Sequence, residues 1–109
     1  MKAPLTLVAV LATLAAAPSA LALDAAAAEA LVRKSKCMTC HAIDKKKDGP
    51  AYKEIAAKFK GKPDAVEKIT KHITVPSTVK VDGKEEEHEM IRSKDPAEIR
   101  NVVDWLMSL

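Results

Sequence analysis

The apolar positions of this 109-residue chain change rhythm several times, and each change marks an element. Leu5 to Ala17 is an almost unbroken apolar run. Asp24 then offers a cap, and the alanine-rich stretch from Ala25 to Val32 is strong helix-forming material, so a first helix is predicted to about Lys34. Polar residues fill Ala42 to Pro50, ending in Gly49-Pro50. Tyr52, Ile55, Ala56 and Phe59 recur at spacings of three and four, which predicts a second helix near 51–60, closed by Gly61. Pro63-Asp64 opens a third helix that turns Val66, Ile69 and Ile73 inward. Beyond Val75 the period shortens to two: Val79 and Val81 alternate with polar residues, and Asp82-Gly83 is a two-residue hairpin signal. In that register His88 and Met90 share a face with the two valines, on either a hairpin or an extended loop. Asp95-Pro96-Ala97-Glu98 combines a cap, a first-position proline and capping-box spacing. Ile99, Val102, Val103, Leu106 and Leu109 form the apolar face of the terminal helix it opens, with Trp105 and Met107 beside them. The expected architecture is one all-α domain of about four helices, the last packed on the first.

Composition changes this picture at the N-terminus and in the core. Met1-Lys2, the apolar run and Ala20-Leu21-Ala22 have the order of a secretory signal peptide over 1–22, leaving a domain over 23–109. The run is too short for a comfortable membrane span, so no stable membrane insertion is expected after cleavage. Retention of the segment as an anchor is the minor alternative. The chain has one Trp, one Tyr and one Phe. So small a domain is marginal on its side chains alone, and a large flat apolar cofactor would supply the missing core. The formal net charge of +3 is close to balance, which argues against nucleic-acid binding. Lys34, Lys36 and Lys45-Lys46-Lys47 nevertheless gather around one motif, while Glu85-Glu86-Glu87 and Glu89 lie in a later segment.

That motif is Cys37-Met38-Thr39-Cys40-His41. Two thiols three positions apart, with an imidazole directly after the second, read as a site for covalent attachment of one c-type haem. Each thiol can add to one vinyl group on the same haem edge, and His41 then lies under the ring with a nitrogen for the iron. A dithiol redox pair, a zinc half-site and a plain disulfide compete with this reading. The chain has no second cysteine pair to complete a zinc knuckle and no alternating strand-helix pattern of the thioredoxin kind. Haem attachment to such thiols happens outside the cytoplasm, in keeping with the signal peptide.

In this order, the motif, Gly49-Pro50-Ala51-Tyr52, the short middle helices and the Trp105-Leu106 terminal helix resemble the short bacterial class I cytochromes c. The resemblance covers the whole of 23–109. It implies a monomeric periplasmic electron carrier that is not an enzyme and that docks transiently with redox partners. The lysines near the motif would meet an acidic docking surface on such a partner. It also implies that the Pro50 carbonyl holds the His41 ring and that Trp105 lies against the haem. The family usually takes its second iron ligand from a Met-Pro-Pro loop about sixteen residues before the terminal Trp. Here the loop reads Glu87-His88-Glu89-Met90-Ile91-Arg92, with no proline after Met90. Family habit favours Met90 as the distal ligand, and His88 is the alternative. His72 and Met107 are expected on the surface and in the core respectively. Two other functions stay open: a haem protein with a weak sixth ligand that binds or senses small molecules, and a thiol oxidoreductase using Cys37 and Cys40.

Overall fold

A computed structural model describes residues 22–109, together with 1–4 and 12. The signal segment read over 1–22 therefore lies, those few positions aside, outside the described residues. Among the described residues, four α-helices and one hairpin follow in order: α1 Ala25–Lys34, α2 Tyr52–Phe59, α3 Ala65–Thr74, β1 Thr78–Val81, β2 Lys84–Glu87 and α4 Pro96–Met107. A 3-10 turn at Cys37–Thr39 separates α1 from the loop before α2.

The helix ends are set by local chemistry. The Asp24 carboxylate accepts from the Ala27 amide at the start of α1, and the Asp95 carboxylate accepts from Ala97 at the start of α4. Pro96 occupies the first turn of α4, where its missing N–H costs nothing. The hairpin pairs Val79 with Glu86 and Val81 with Lys84, the register expected from the alternation. Asp82 and Gly83 both have positive φ (51° and 78°), the signature of a type I′ turn, whose twist matches that of the flanking strands.

Helix α4 is the hub, since α1, α2 and α3 all pack against it. Asn101 fastens its middle to the start of α1: its Oδ1 accepts from the Asp24 amide at 2.9 Å, and its Nδ2 donates to the Asp24 carbonyl at 2.8 Å. Val102, Val103, Trp105 and Leu106 supply the buried face of α4, met by Ala28 and Val32 of α1, Tyr52 of α2 and Ile69 of α3. Alanine supplies four of the core residues, Ala28, Ala51, Ala56 and Ala65. Such side chains allow close helix approach and bury little area, so the core is thin in the way the composition implied.

Candidate functional site

The chain between α1 and α2 builds one wall of the site. Ser35 is fully buried, and Lys36 takes a left-handed conformation (φ 61°), so the backbone turns sharply just before Cys37. Lysine gains nothing from that conformation, which costs about 1 kcal/mol for a residue with a Cβ. The turn is held by contacts rather than by propensity. Within Cys37–Thr39 the backbone closes on itself, the amides of Cys40 and His41 both donating to the Cys37 carbonyl. The sulfurs of Cys37 and Cys40 are thereby carried on one short turn as free, half-buried thiols. Burial pushes the Cys37 thiol up, opposite to the lowered thiol of a dithiol oxidoreductase.

His41 is fixed from three sides. Its Nδ1 lies 2.7 Å from the Pro50 carbonyl, which accepts the ring proton and leaves Nε2 free. Its ring stacks on Tyr52 with centroids 5.1 Å apart and planes 21° apart. Gly49 passes so close that a Cβ there would sit 2.6 Å from His41 Cε1 and 2.9 Å from Nδ1. The loop that brings Gly49 and Pro50 to the ring is closed by three backbone bonds: Gly49 donates to Cys40, Tyr52 to Ala42 and Lys53 to Ile43. Behind this wall Trp105, buried on α4, meets Tyr52 edge-on at 5.8 Å and 79°. Lys47 is not a free surface charge, because its Nζ donates to the Met38 carbonyl at 2.9 Å. Lys34, Lys36, Lys45 and Lys46 are exposed.

The opposite wall is the segment after the hairpin. Strand β2 ends at Glu87, so the strict alternation that gave His88 and Met90 one face does not continue through them. The His88 amide donates to the Ser77 carbonyl, Ile91 to Ile73 at the end of α3, and Arg92 to the Ser35 hydroxyl. With Ile91 buried in the core, the His88 ring faces His41 at a centroid distance of 6.3 Å and an interplanar angle of 72°. Its Nδ1 is cut off from solvent without a hydrogen-bond partner. Partial burial, with His72 and His41 beside it, holds the His88 imidazole below its ordinary pKa. Met90 is 40% exposed. His72 is exposed as expected, yet its ring also lies on that of His88 at 4.0 Å. Met107 is half-buried against the core.

The family model for cytochrome c matches residues 25–109, every described element of the chain. The chain belongs to the cytochrome c family. It is 47% identical over 45 residues to cytochrome c-551 of Pseudomonas aeruginosa, a stretch covering 41% of this chain and 43% of that one. The chain thus matches less than half the length of that curated relative. Cytochrome c-551 of Azotobacter vinelandii is 28% identical over 83 residues, covering 73% of this chain and 94% of its own. Among solved structures, the class 1 cytochrome MtoD from Sideroxydans lithotrophicus ES-1 superposes with a TM-score of 0.75 at 47% identity, covering 80% and 97% of the two chains. Nitrosomonas europaea cytochrome c552 gives 0.59 at 28%, covering 74% and 98%. The fold is the class I cytochrome c fold, and membership of the family carries with it a covalently attached haem c.

The residues present fit that group. Two free thiols stand on one turn, directly followed by an imidazole whose Nδ1 is engaged and whose Nε2 is not. Gly49 leaves room for that ring where any side chain would collide with it. Ser35, Gly49 and His72 were not legible as site residues. Ser35 carries no motif, and Gly49 reads simply as a loop end. His72 reads as a surface position on α3.

Proposed function

We propose that this chain is a single-electron carrier of the bacterial periplasm, delivered there by the segment 1–22 and working as a monomer that docks briefly with redox proteins. The observation that carries this reading is the Cys37, Cys40, His41 and Pro50 arrangement. Two tethering thiols and an imidazole held by a carbonyl have a clear use together when an iron porphyrin is fixed against them. Bound haem supplies a ferric–ferrous couple.

The protein's own residues do the rest. Cys37 and Cys40 would tether the cofactor through their thiols, which share the 3-10 turn region. The Pro50 carbonyl, by accepting from Nδ1, fixes the His41 tautomer and makes Nε2 a stronger donor. Tyr52 stacks on the His41 ring and Trp105 meets Tyr52 edge-on, so two aromatic side chains back the proximal imidazole. Exposed Lys34, Lys36, Lys45 and Lys46 surround the motif, and their field would steer an acidic partner toward it at low ionic strength. A ligand-sensing role needs a weak or displaceable sixth ligand, whereas a half-buried imidazole held from the backbone on both sides stands opposite His41.

The test is expression of the full chain in a host with a haem-attachment system. Fractionation should recover a red protein from the periplasm, with haem that stays on the polypeptide after denaturation and one-electron reversible redox titration. Haem lost on denaturation, or a colourless soluble product, would overturn the reading.

A further inference from the structure

The wall opposite His41 carries an assignment that departs from the family's usual methionine. We propose that His88, and not Met90, is the distal iron ligand, and that His72 is a positioning residue that fixes the plane of the His88 ring. This rests on the covalent-haem reading above and deepens it.

Four observations support it. Two imidazoles sharing one metal at about 2 Å per bond, each adding roughly 1 Å from nitrogen to ring centre, have centroids about 6 Å apart. His41 and His88 stand at 6.3 Å. Secondly, His88 has a ring nitrogen buried without a partner. Such an atom costs about 1–3 kcal/mol while it stays unmatched, and a coordinate bond made at that nitrogen removes the cost. Thirdly, the backbone on both sides of His88 is pinned. Ser77 holds the His88 amide, and the Ile91 and Arg92 amides are held by Ile73 and Ser35. Those ties direct Ile91 into the core and leave Met90 outside, 40% exposed. Fourthly, the His72 ring lies on that of His88 at 4.0 Å, tilted 39°. A ligand ring that must not swing is well served by a flat neighbour, whereas a solvent-facing loop histidine has no need of one. The 72° between the His41 and His88 planes is the angle this packing maintains.

The chemistry follows from the donor. Imidazole binds ferric and ferrous iron well, whereas thioether sulfur favours ferrous iron, so a second histidine lowers the reduction potential relative to a methionine-ligated relative.

The experiment uses the intact haem-loaded protein, with covalent haem first established on denatured samples. That step separates failure of the carrier reading from failure of this one. The ferric protein is expected to be low-spin and to lack the far-red sulfur-to-iron band, and Met90→Ala should leave the spectrum and potential unchanged. His88→Ala should give a high-spin or water-ligated ferric form that returns to low-spin when free imidazole is added. If His88→Ala fails to mature, His88→Met is the second variant: it should gain the sulfur band and a higher potential. For His72, steeply crossed imidazole planes give a highly anisotropic ferric EPR signal, and His72→Ala should relax it toward the rhombic three-line form while the ligands stay the same. A sulfur band in the unmodified protein that Met90→Ala abolishes would overturn the assignment of His88. An EPR signal identical in His72→Ala and the unmodified protein would overturn the positioning role.

Discussion

Gly49→Ala is the sharpest test of how the proximal wall is built. The Gly49 backbone is not left-handed, so the cost of a side chain there is steric rather than conformational. The new Cβ would meet His41 Cε1 at 2.6 Å, Nδ1 at 2.9 Å and Nε2 at 3.1 Å, all inside ordinary contact. The ring cannot swing away freely, because Pro50 holds Nδ1 at 2.7 Å and Tyr52 covers one face. The loop cannot retreat cheaply either, since the Gly49 amide donates to the Cys40 carbonyl at 2.7 Å. An extra methyl in a packed site costs about 1–3 kcal/mol, and in a domain of this size that corresponds to roughly 5–20 °C in Tm. The assay is a thermal melt of the haem-loaded variant beside Gly61→Ala. At Gly61 nothing lies within 4 Å of an added Cβ, but φ is +75°. Gly61→Ala should therefore lose about 1 kcal/mol through backbone strain alone, with the ferric spectrum unchanged. Gly49→Ala should lose more and, if His41 is the iron ligand as proposed, also shift the spectrum, since the displaced group is that imidazole. A Gly49→Ala protein that melts and absorbs like the unmodified one would refute the argument that this loop clamps His41.

Two further substitutions probe the long-range ties. Ser35→Ala removes the hydroxyl that accepts from the Arg92 amide inside a fully buried position; a loss of about 1–3 kcal/mol is expected in denaturant titration. Asn101→Ala breaks both bonds to the Asp24 backbone. Because that clamp is exposed, the expected loss is only about 1 kcal/mol, with faster amide exchange confined to the first turn of α1.

The elements were legible wherever a local rule decided them. Asp24 and Asp95 announce helix starts because a carboxylate can reach the amide two or three residues on, and both do so. Asp82-Gly83 announces the hairpin because two successive positive φ values suit only a small set of pairs, of which Asp-Gly is one. The haem motif is legible for the same reason: Cys37, Cys40 and His41 act through spacing within five residues. What stayed hidden depends on distant partners. Lys36 takes a left-handed turn that nothing in its identity suggests. Ser35 looks like an ordinary helix-end serine until Arg92, 57 residues on, comes to it. The choice between His88 and Met90 was beyond alternation, because alternation describes strands and the strand ends at Glu87.

This contrast has a physical basis in how the two walls are made. On the proximal side the proposed site depends on the identity of nearly every residue: thiols to tether, an imidazole to coordinate, a glycine to leave room and a carbonyl nine residues on to hold the ring. Changing any one changes the chemistry, so the pattern is narrow and can be recognised as a string. On the distal side the segment is positioned through backbone amides at His88, Ile91 and Arg92, received by Ser77, Ile73 and Ser35. A backbone amide is the same whatever side chain it carries. The residue presented there could therefore change with little cost to this backbone frame, and a change of iron ligand would shift the potential. On the proposed assignment, a fold that specifies one ligand by side-chain chemistry and delivers the other by main-chain geometry has one iron ligand that is plain in the sequence and one that emerges only when the chain is folded.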